Sequence, residues 1–349
     1  LKNGHASCIR ENIPLRFMRV IVTGGTGFIG NSLVLKLLRQ GHDVQVIARS
    51  VPLPDDKNLA GVAYHSCDLS VRQLPASVLS GVDLVFHVAA KAGVAGTYSS
   101  YHSANYQATL NILESCLSTG IPRLVYTSTP SVTFSGKPIR AGTESLPYAK
   151  DKVSYYSLTK AMAEKAVLEA HDPGKLQTLA LRPHLVWGEG DPHLLPRVIS
   201  RHKEGKLKIV GDGKNQVDLT HVDNVCHAHL CAMKTLLGDE SAGGKAYFIS
   251  QDEPVRLWPW LNHLFAEIGL PPLEKSIGFG KAHFAGLVLE KIWRLLRFRS
   301  DPPMTRFVAC QLAHDHWFSP QAAKADLGYE PIANMEQCLE KSLPWLRNL

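Results

Sequence analysis

Residues 19–40 constrain the fold of this chain more than any other stretch. Arg19–Thr23 (RVIVT) is a short apolar run of the kind that forms a buried strand. Phe28–Gln40 then carries Ile29, Leu33, Val34, Leu37 and Leu38 at helical spacing, and Gly41 ends it. Between the two stands Gly24-Gly25-Thr26-Gly27-Phe28-Ile29-Gly30, a GxxGxxG spacing. A strand that turns on glycine into a helix offers an anion free N–H groups and the positive end of the helix dipole. Gly24 permits the tight turn, Gly27 lets backbone approach a pyrophosphate, and Gly30 lets the helix pack closely on the sheet. Glycine spacing alone is weak evidence, and a ligand-free turn is the competing reading. Its place between strand and helix favours a dinucleotide, bound through Gly24, Gly27, Phe28, Ile29 and Gly30.

The rest of the first half alternates. Val44–Ala48, Val62–Ser66, Asp83–His87, Arg123–Thr127 and Gln177–Arg182 read as strands, and Ser99–Thr119 and Val153–His171 as helices. Such alternation predicts an α/β fold, a doubly wound parallel sheet covered on both faces. The rhythm breaks after Pro183. Residues 18–185 are therefore expected to form the nucleotide-binding domain. Residues 186–349 are expected to form mainly a smaller substrate domain, with part of 217–250 returning to the sheet. Residues 1–17 are polar and precede Met18, which suggests an N-terminal extension and a natural start at Met18.

Bulk properties narrow the function classes. The net charge is +7, but the basic residues are spread, with modest clusters at 197–208 and 291–299, and no nucleic-acid motif accompanies them. The seven cysteines include no CxxC, which suggests free thiols in a reducing, cytoplasmic setting. His227 and Cys231 stand four apart on an expected helix, but no second ligand pair supports a metal, and none is expected. No run of 18 apolar residues predicts a membrane span.

Several polar residues fall where chemistry is expected. The second strand ends in Ala48-Arg49-Ser50, with no carboxylate to hold a ribose 2′-hydroxyl. Arg49 is suited to a 2′-phosphate, so NADP(H) is expected over NAD(H), which stays possible; a solvated arginine is the alternative. Asp68 is placed to accept from an adenine amino group, or it is a turn cap. Tyr156 and Lys160 form a YxxxK pattern, one helical turn apart on one face. A tyrosine is a poor acid or base near neutrality, and a neighbouring ammonium is expected to lower its pKa. At the end of the fifth strand, Thr127-Ser128-Thr129 offers hydroxyls where open α/β sheets bind ligands. Thr129 is the first choice to hydrogen-bond a substrate oxygen, and Ser128 the second.

These motifs, with His87-Val88-Ala89-Ala90 and Leu181-Arg182-Pro183 in the same order, resemble the extended short-chain dehydrogenase/reductase family over nearly the whole chain from Met18. The resemblance implies a Rossmann fold and NAD(P)-dependent oxidoreductase activity. It assigns Thr129, Tyr156 and Lys160 to catalysis, with Lys160 also on the nicotinamide ribose. Leu69, Ala89, Ala90, Lys91, Thr127 and Pro183 join the cofactor site, and Asn105 matches the family's helix asparagine. Thr129 is followed by Pro130-Ser131-Val132, without the acids of nucleotide-sugar dehydratases. Gly211–Asp223 (GDGKNQVDLTHVD) and the apolar C-terminal part resemble the 3β-hydroxysteroid dehydrogenase branch, whose NAD-dependent steroid or sterol-carboxylate oxidation is one expectation. His87–Asn105, Val125–Val132 and Ala180–Gly190 resemble more closely a bacterial group that reduces long-chain 2-alkyl-3-oxo acids in olefin hydrocarbon biosynthesis. By that resemblance the partners are a long-chain acyl substrate, a thiolase-like enzyme, a β-lactone synthetase, a β-lactone decarboxylase and a second copy in a homodimer. A sugar epimerase and a non-catalytic NADP-binding protein are weaker readings.

Such a substrate needs an apolar channel and a cation. Lys91 is a candidate for the cation, though a solvated or cofactor-facing lysine fits equally. Phe284, Val288, Ile292, Leu295 and Leu296 form an apolar stripe opposite Glu290, Arg294 and Arg297. The stripe reads first as core, then as a channel wall, and third as a peripheral membrane contact.

Overall fold

The computed structural model describes residues 17–50, 61–93, 96–149, 154–238, 240–296, 298 and 302–349. The N-terminal extension apart from Phe17, together with Val153 and Arg297, lies outside the described residues.

Seven parallel strands form the central sheet: β1 (Arg19–Thr23), β2 (Asp43–Ala48), β3 (Ala63–Ser66), β4 (Leu84–His87), β5 (Arg123–Thr127), β6 (Gln177–Pro183) and β7 (Ala246–Ile249). Their spatial order is β7-β6-β5-β4-β1-β2-β3. The chain runs outward from β1 to β3, then crosses back to β4 on the other side of β1. That reversal opens a crevice at the carboxyl ends of β1 and β4, where such sheets take their ligands.

Side chains alternate across the pleat. Val20 and Val22 of β1 face one core with Leu33, Val34 and Leu37 of the helix Phe28–Arg39 and with Cys226 and Met233 of the helix Val222–Gly238. Ile21 faces the opposite core with Ile112, Cys116, Ala163 and Val167. Both faces are buried, so the strands read as nearly continuous apolar runs rather than as alternating ones.

A third core lies beyond the carboxyl ends of the strands, built around Trp187, Ile199, Leu207, Val217, Trp260 and Leu261. A small four-stranded sheet borders it, in the order Val255–Arg256, Gln216–Val217, His316–Phe318, Ile139–Gly142. These strands are two to four residues long. They are too short for periodicity to mark them.

Two elements depart from expectation. The long helix over 99–119 is not uniform: a π-helical turn, His102–Gln107, separates Tyr98–Tyr101 from Ala108–Thr119. The apolar stripe is on a helix, Phe279–Leu296, but it is neither core nor channel wall. Phe284, Val288, Ile292, Leu295 and Leu296 are all exposed. The buried face of that helix carries Ala282 and Gly286 instead, small residues that permit close packing.

Candidate active site

The glycine loop is set by backbone contacts that exclude a Cβ. Gly24 has φ +68°, and a Cβ there would lie 2.8 Å from Ala89 Cα, in the loop that follows β4. That loop is fixed in turn by the Thr23 hydroxyl, which accepts from Ala89 N (3.2 Å) and pairs with His87 Nδ1 (2.7 Å). Burial pushes His87 down to about 3, so it is a neutral strut between β1 and the Thr109 hydroxyl. At Gly30 a Cβ would fall 2.1 Å from the Gly24 carbonyl oxygen, so this glycine holds the helix against the turn itself. The sheet contact expected of Gly30 belongs to Gly25, whose Cβ would meet Val46 Cγ2 at 2.6 Å. The helix Phe28–Arg39 has no side-chain cap and no acid in its first turn. Its first N–H groups therefore suit a phosphate.

Beyond the loop, Arg49 is exposed at the end of β2. The Asp68 carboxylate accepts from Ser70 N (3.0 Å) and Ser70 Oγ (2.6 Å), so it caps its own turn. Those two bonds, with help from the charges of Arg49 and Arg72, hold its carboxyl below the usual range.

The helix Tyr155–Glu169 begins at Ser154, whose hydroxyl accepts from Ser157 N (3.0 Å). This start brings Tyr156 and Lys160 to the carboxyl end of β5. Lys160 Nζ donates to the Thr127 carbonyl (2.6 Å) and sits 4.1 Å from the centre of the Tyr126 ring. Burial pushes Lys160 down to about 7, and the charge of Glu164, one turn along, works against the fall. The expectation that Lys160 would depress Tyr156 is not met. Burial raises the Tyr156 phenol above its ordinary value, and a hydrogen bond with Thr129 opposes the rise. The ammonium is spent on Thr127, and the phenol is desolvated. Thr129 also caps the turn Pro130–Val132 by accepting from Ser131 N (3.2 Å). Ser128 Oγ is sealed from solvent and finds no partner among the described residues, which sets it apart from Thr129.

Residues behind this group hold it in place. Asn105, in the π turn, accepts from Lys91 N (2.7 Å) and donates to the Lys91 carbonyl (3.1 Å) and to Thr159 Oγ1 (3.2 Å). It thereby ties the β4 loop to the helix that carries Tyr156. π turns recur at functional sites because the extra residue re-aims its neighbours. Lys91 Nζ donates to Ser100 Oγ (2.9 Å) and lies over the Tyr101 ring. Glu164 accepts from Arg182 Nε (2.9 Å), Arg182 Nη2 (2.6 Å) and Tyr148 Oη (2.7 Å), a buried charged fork between the helix and β6. Sequence reading did not find this pair, because the partners are 18 residues apart on different elements.

All the residues expected at the cofactor and catalytic positions line one cavity of about 1390 Å³. It continues past His184 into the third core. There its walls are apolar, with Leu195, Val198, Trp260, Met304, Phe307 and Val308. His184 Nε2 lies 2.7 Å from His316 Nδ1, and burial lowers both rings, His316 to about 4. Arg197, Arg201, Lys206 and Lys208 also border this far part. His227 and Cys231 lie elsewhere and touch each other, Sγ to Nε2 at 3.5 Å. Among the described residues no three His, Cys, Asp or Glu side chains gather as a metal site would require. The six cysteines described are all free and buried.

Comparison with known proteins agrees with this geometry. Residues 21–279 match the 3-beta hydroxysteroid dehydrogenase/isomerase family. A 2-alkyl-3-oxoalkanoate reductase of Stenotrophomonas maltophilia is 44% identical over 93% of this chain and 98% of its own length. A decarboxylating sterol-4-alpha-carboxylate 3-dehydrogenase of Bos taurus is 34% identical over 97% of this chain and 94% of its own. Among solved structures, a UDP-glucuronic acid 4-epimerase of Bacillus cereus in complex with NAD shares the fold, with TM-score 0.74 at 20% identity, over 95% of this chain and 99% of that one. With this match, this loop and this sheet, the chain belongs to the 3-beta hydroxysteroid dehydrogenase/isomerase family and is an NAD(P)-dependent oxidoreductase of the extended short-chain type.

Proposed function

We propose that the chain is an NADPH-dependent reductase of the 3-keto group of long-chain 2-alkyl-3-oxo acids. The observation that carries this reading is the single cavity that joins the glycine loop, Thr129 and Tyr156 to a large apolar pocket. A polar head next to Tyr156 with long alkyl tails beyond it matches those walls. The glycine loop fits a dinucleotide, since Gly27, Phe28 and Ile29 bring the uncapped, acid-free start of the helix to the cavity wall. The exposed Arg49, with no acid at the end of β2, supports a 2′-phosphate. When bound, the nicotinamide supplies a hydride to the carbonyl carbon.

The chain's own residues do the rest. Tyr156 Oη donates its proton to the carbonyl oxygen. Its raised pKa suits this direction, because the phenol stays protonated near neutrality until the oxygen becomes an alkoxide. Thr129 Oγ1 donates to the same oxygen and stabilises its developing charge. Lys160 Nζ, near 7, holds a proton that can restore the phenol. Asn105 and the Glu164–Arg182 fork fix the positions of these groups. Lys91 is the cation for the substrate carboxylate, and the apolar walls take the tails.

The sterol reading has specific support in the Bos taurus relative. The two relatives' names share one chemical feature. In a 2-alkyl-3-oxoalkanoate and in a sterol 4-carboxylate oxidised at position 3, the reacting oxygen stands on the carbon next to the one that bears the carboxylate. The same head group can therefore sit at Tyr156 in both, and the tail pocket must discriminate. Reduction of NADP⁺ and of NAD⁺ should be followed with a long-chain 2-alkyl-3-hydroxy acid and, in parallel, with a 3β-hydroxysteroid with and without a 4-carboxylate. The acid is expected to be oxidised and the steroids not. Oxidation of a steroid alone would replace this reading with the sterol one.

A further inference from the structure

The helix Phe279–Leu296 has a fixed face and a bare one. On the fixed face a Cβ at Gly286 would lie 2.6 Å from Arg306 N, and Glu290 accepts from Arg306 N (2.7 Å) and Arg306 Nε (2.9 Å). Ala282 and Ala285 line the cavity from this helix. On the bare face Phe284 is 64% exposed and Leu295 81%, with Val288, Ile292 and Leu296 exposed between and beside them. Together with Phe298 they supply six of the thirteen exposed large hydrophobic side chains among the described residues. Scattered singly, such residues need no explanation, but these form one stripe about 18 Å long.

The charges around the stripe are of one sign. Lys281 and Lys291 are exposed, and helical spacing puts both on the bare face. The helix has one carboxylate, Glu290, which is turned the other way and paired with Arg306. An apolar stripe with interleaved cations and no acid is the pattern of a helix that lies in a bilayer interface, its lysines reaching up to anionic head groups.

We propose that this face docks the enzyme on the surface of an anionic lipid bilayer. A second copy of the chain fits less well, because a two-fold contact through this face would bring the lysines of both copies together, while the helix's one carboxylate, Glu290, is turned away and paired with Arg306. The attachment is peripheral: no helix among the described residues is long and apolar enough to cross a membrane. The site gains from the placement. Ala282 and Ala285 stand on the inner side of the same helix, and Met304, Phe307 and Val308 on the neighbouring segment, so one helix separates the bilayer from the apolar end of the cavity. Docking itself does not depend on which substrate is turned over.

Sedimentation with vesicles tests this on the whole chain. Vesicles of phosphatidylglycerol mixed with phosphatidylcholine should carry the protein down at low salt and release it as salt rises. Vesicles of phosphatidylcholine alone should carry far less. Phe284→Ser with Leu295→Ser should lower partition at least ~10-fold, since both side chains lose their apolar contact. Lys281→Gln and Lys291→Gln should each lower it about fivefold. None of these four residues lines the cavity, so NADPH binding should be unchanged and reports an intact fold. The proposal is overturned if the wild type ignores the anionic vesicles at low salt, or if the serine variant binds them as well as the wild type. It is also overturned if the serine variant converts a dimer to monomers in sedimentation velocity, which would make the stripe a contact between copies.

Discussion

Glu164→Gln tests how the helix that carries Tyr156 is held. The Glu164 side chain is 0% exposed and that of Arg182 4%. Glutamine keeps the shape and removes the charge, leaving the guanidinium buried without its counter-ion. Removing one partner of a buried pair costs about 3–5 kcal/mol. Unfolding entropy near 60 °C is about 2.1 cal/mol/K per residue, or ~0.7 kcal/mol/K for 349 residues. The melting temperature should therefore fall by about 4–7 °C. Adding Arg182→Met removes the second charge, and most of the loss should return, because an apolar replacement for a buried pair is often neutral. Thermal melts followed by circular dichroism measure both variants. The same change should push Lys160 further below its value of about 7, since Glu164 is the charge that holds it up. If Glu164→Gln melts with the wild type, or the double variant melts as low as the single one, the pair does not hold this helix.

Three further outcomes are expected, two of them at the site. Tyr156→Phe should bind NADPH normally but lose at least ~10²-fold in turnover, and an unchanged rate would remove Tyr156 from the chemistry. Arg49→Ala should weaken NADPH far more than NADH in kcat/KM, whereas a wild-type preference for NADH would contradict the assignment of Arg49. Burial pushes Asp218 up to about 7 from its ordinary 3.8, while its Oδ2 accepts from Phe318 N (2.6 Å). Between those values the folded protein binds more protons at Asp218 than the unfolded chain does, so this residue makes stability fall as pH rises through the window. Asp218→Asn removes that dependence. Its stability relative to the wild type should rise between about pH 5 and about pH 8 in urea titrations, and an equal difference at both pH values would contradict the shift.

What could be read from the sequence was what has a period or a fixed spacing. β1, the glycine turn and the first helix are local, and their order is strongly restricted. Tyr156 and Lys160 share a face because four residues make about one helical turn. Spacing says nothing of burial, however, and burial is what raises Tyr156 and leaves Lys160 near 7. The π turn at His102–Gln107 adds no signal, because one inserted residue hardly changes the pattern of apolar side chains. The tail pocket draws Val198, Trp260 and Phe307 from three separate helices, so no window of sequence contains it. The stripe at Phe284–Leu296 misled for a related reason: hydrophobic periodicity marks an apolar face but not what covers it.

We propose that the apolar end of the cavity receives alkyl tails from a head group held at Tyr156. This is tested most directly by kcat/KM for NADP⁺ reduction with 2-alkyl-3-hydroxy acids of increasing tail length. Each buried methylene contributes about 0.8 kcal/mol, close to a fourfold gain. The constant should climb by steps of that order until the pocket is full and then level off. A flat response to tail length would contradict the claim, even if the acids are turned over.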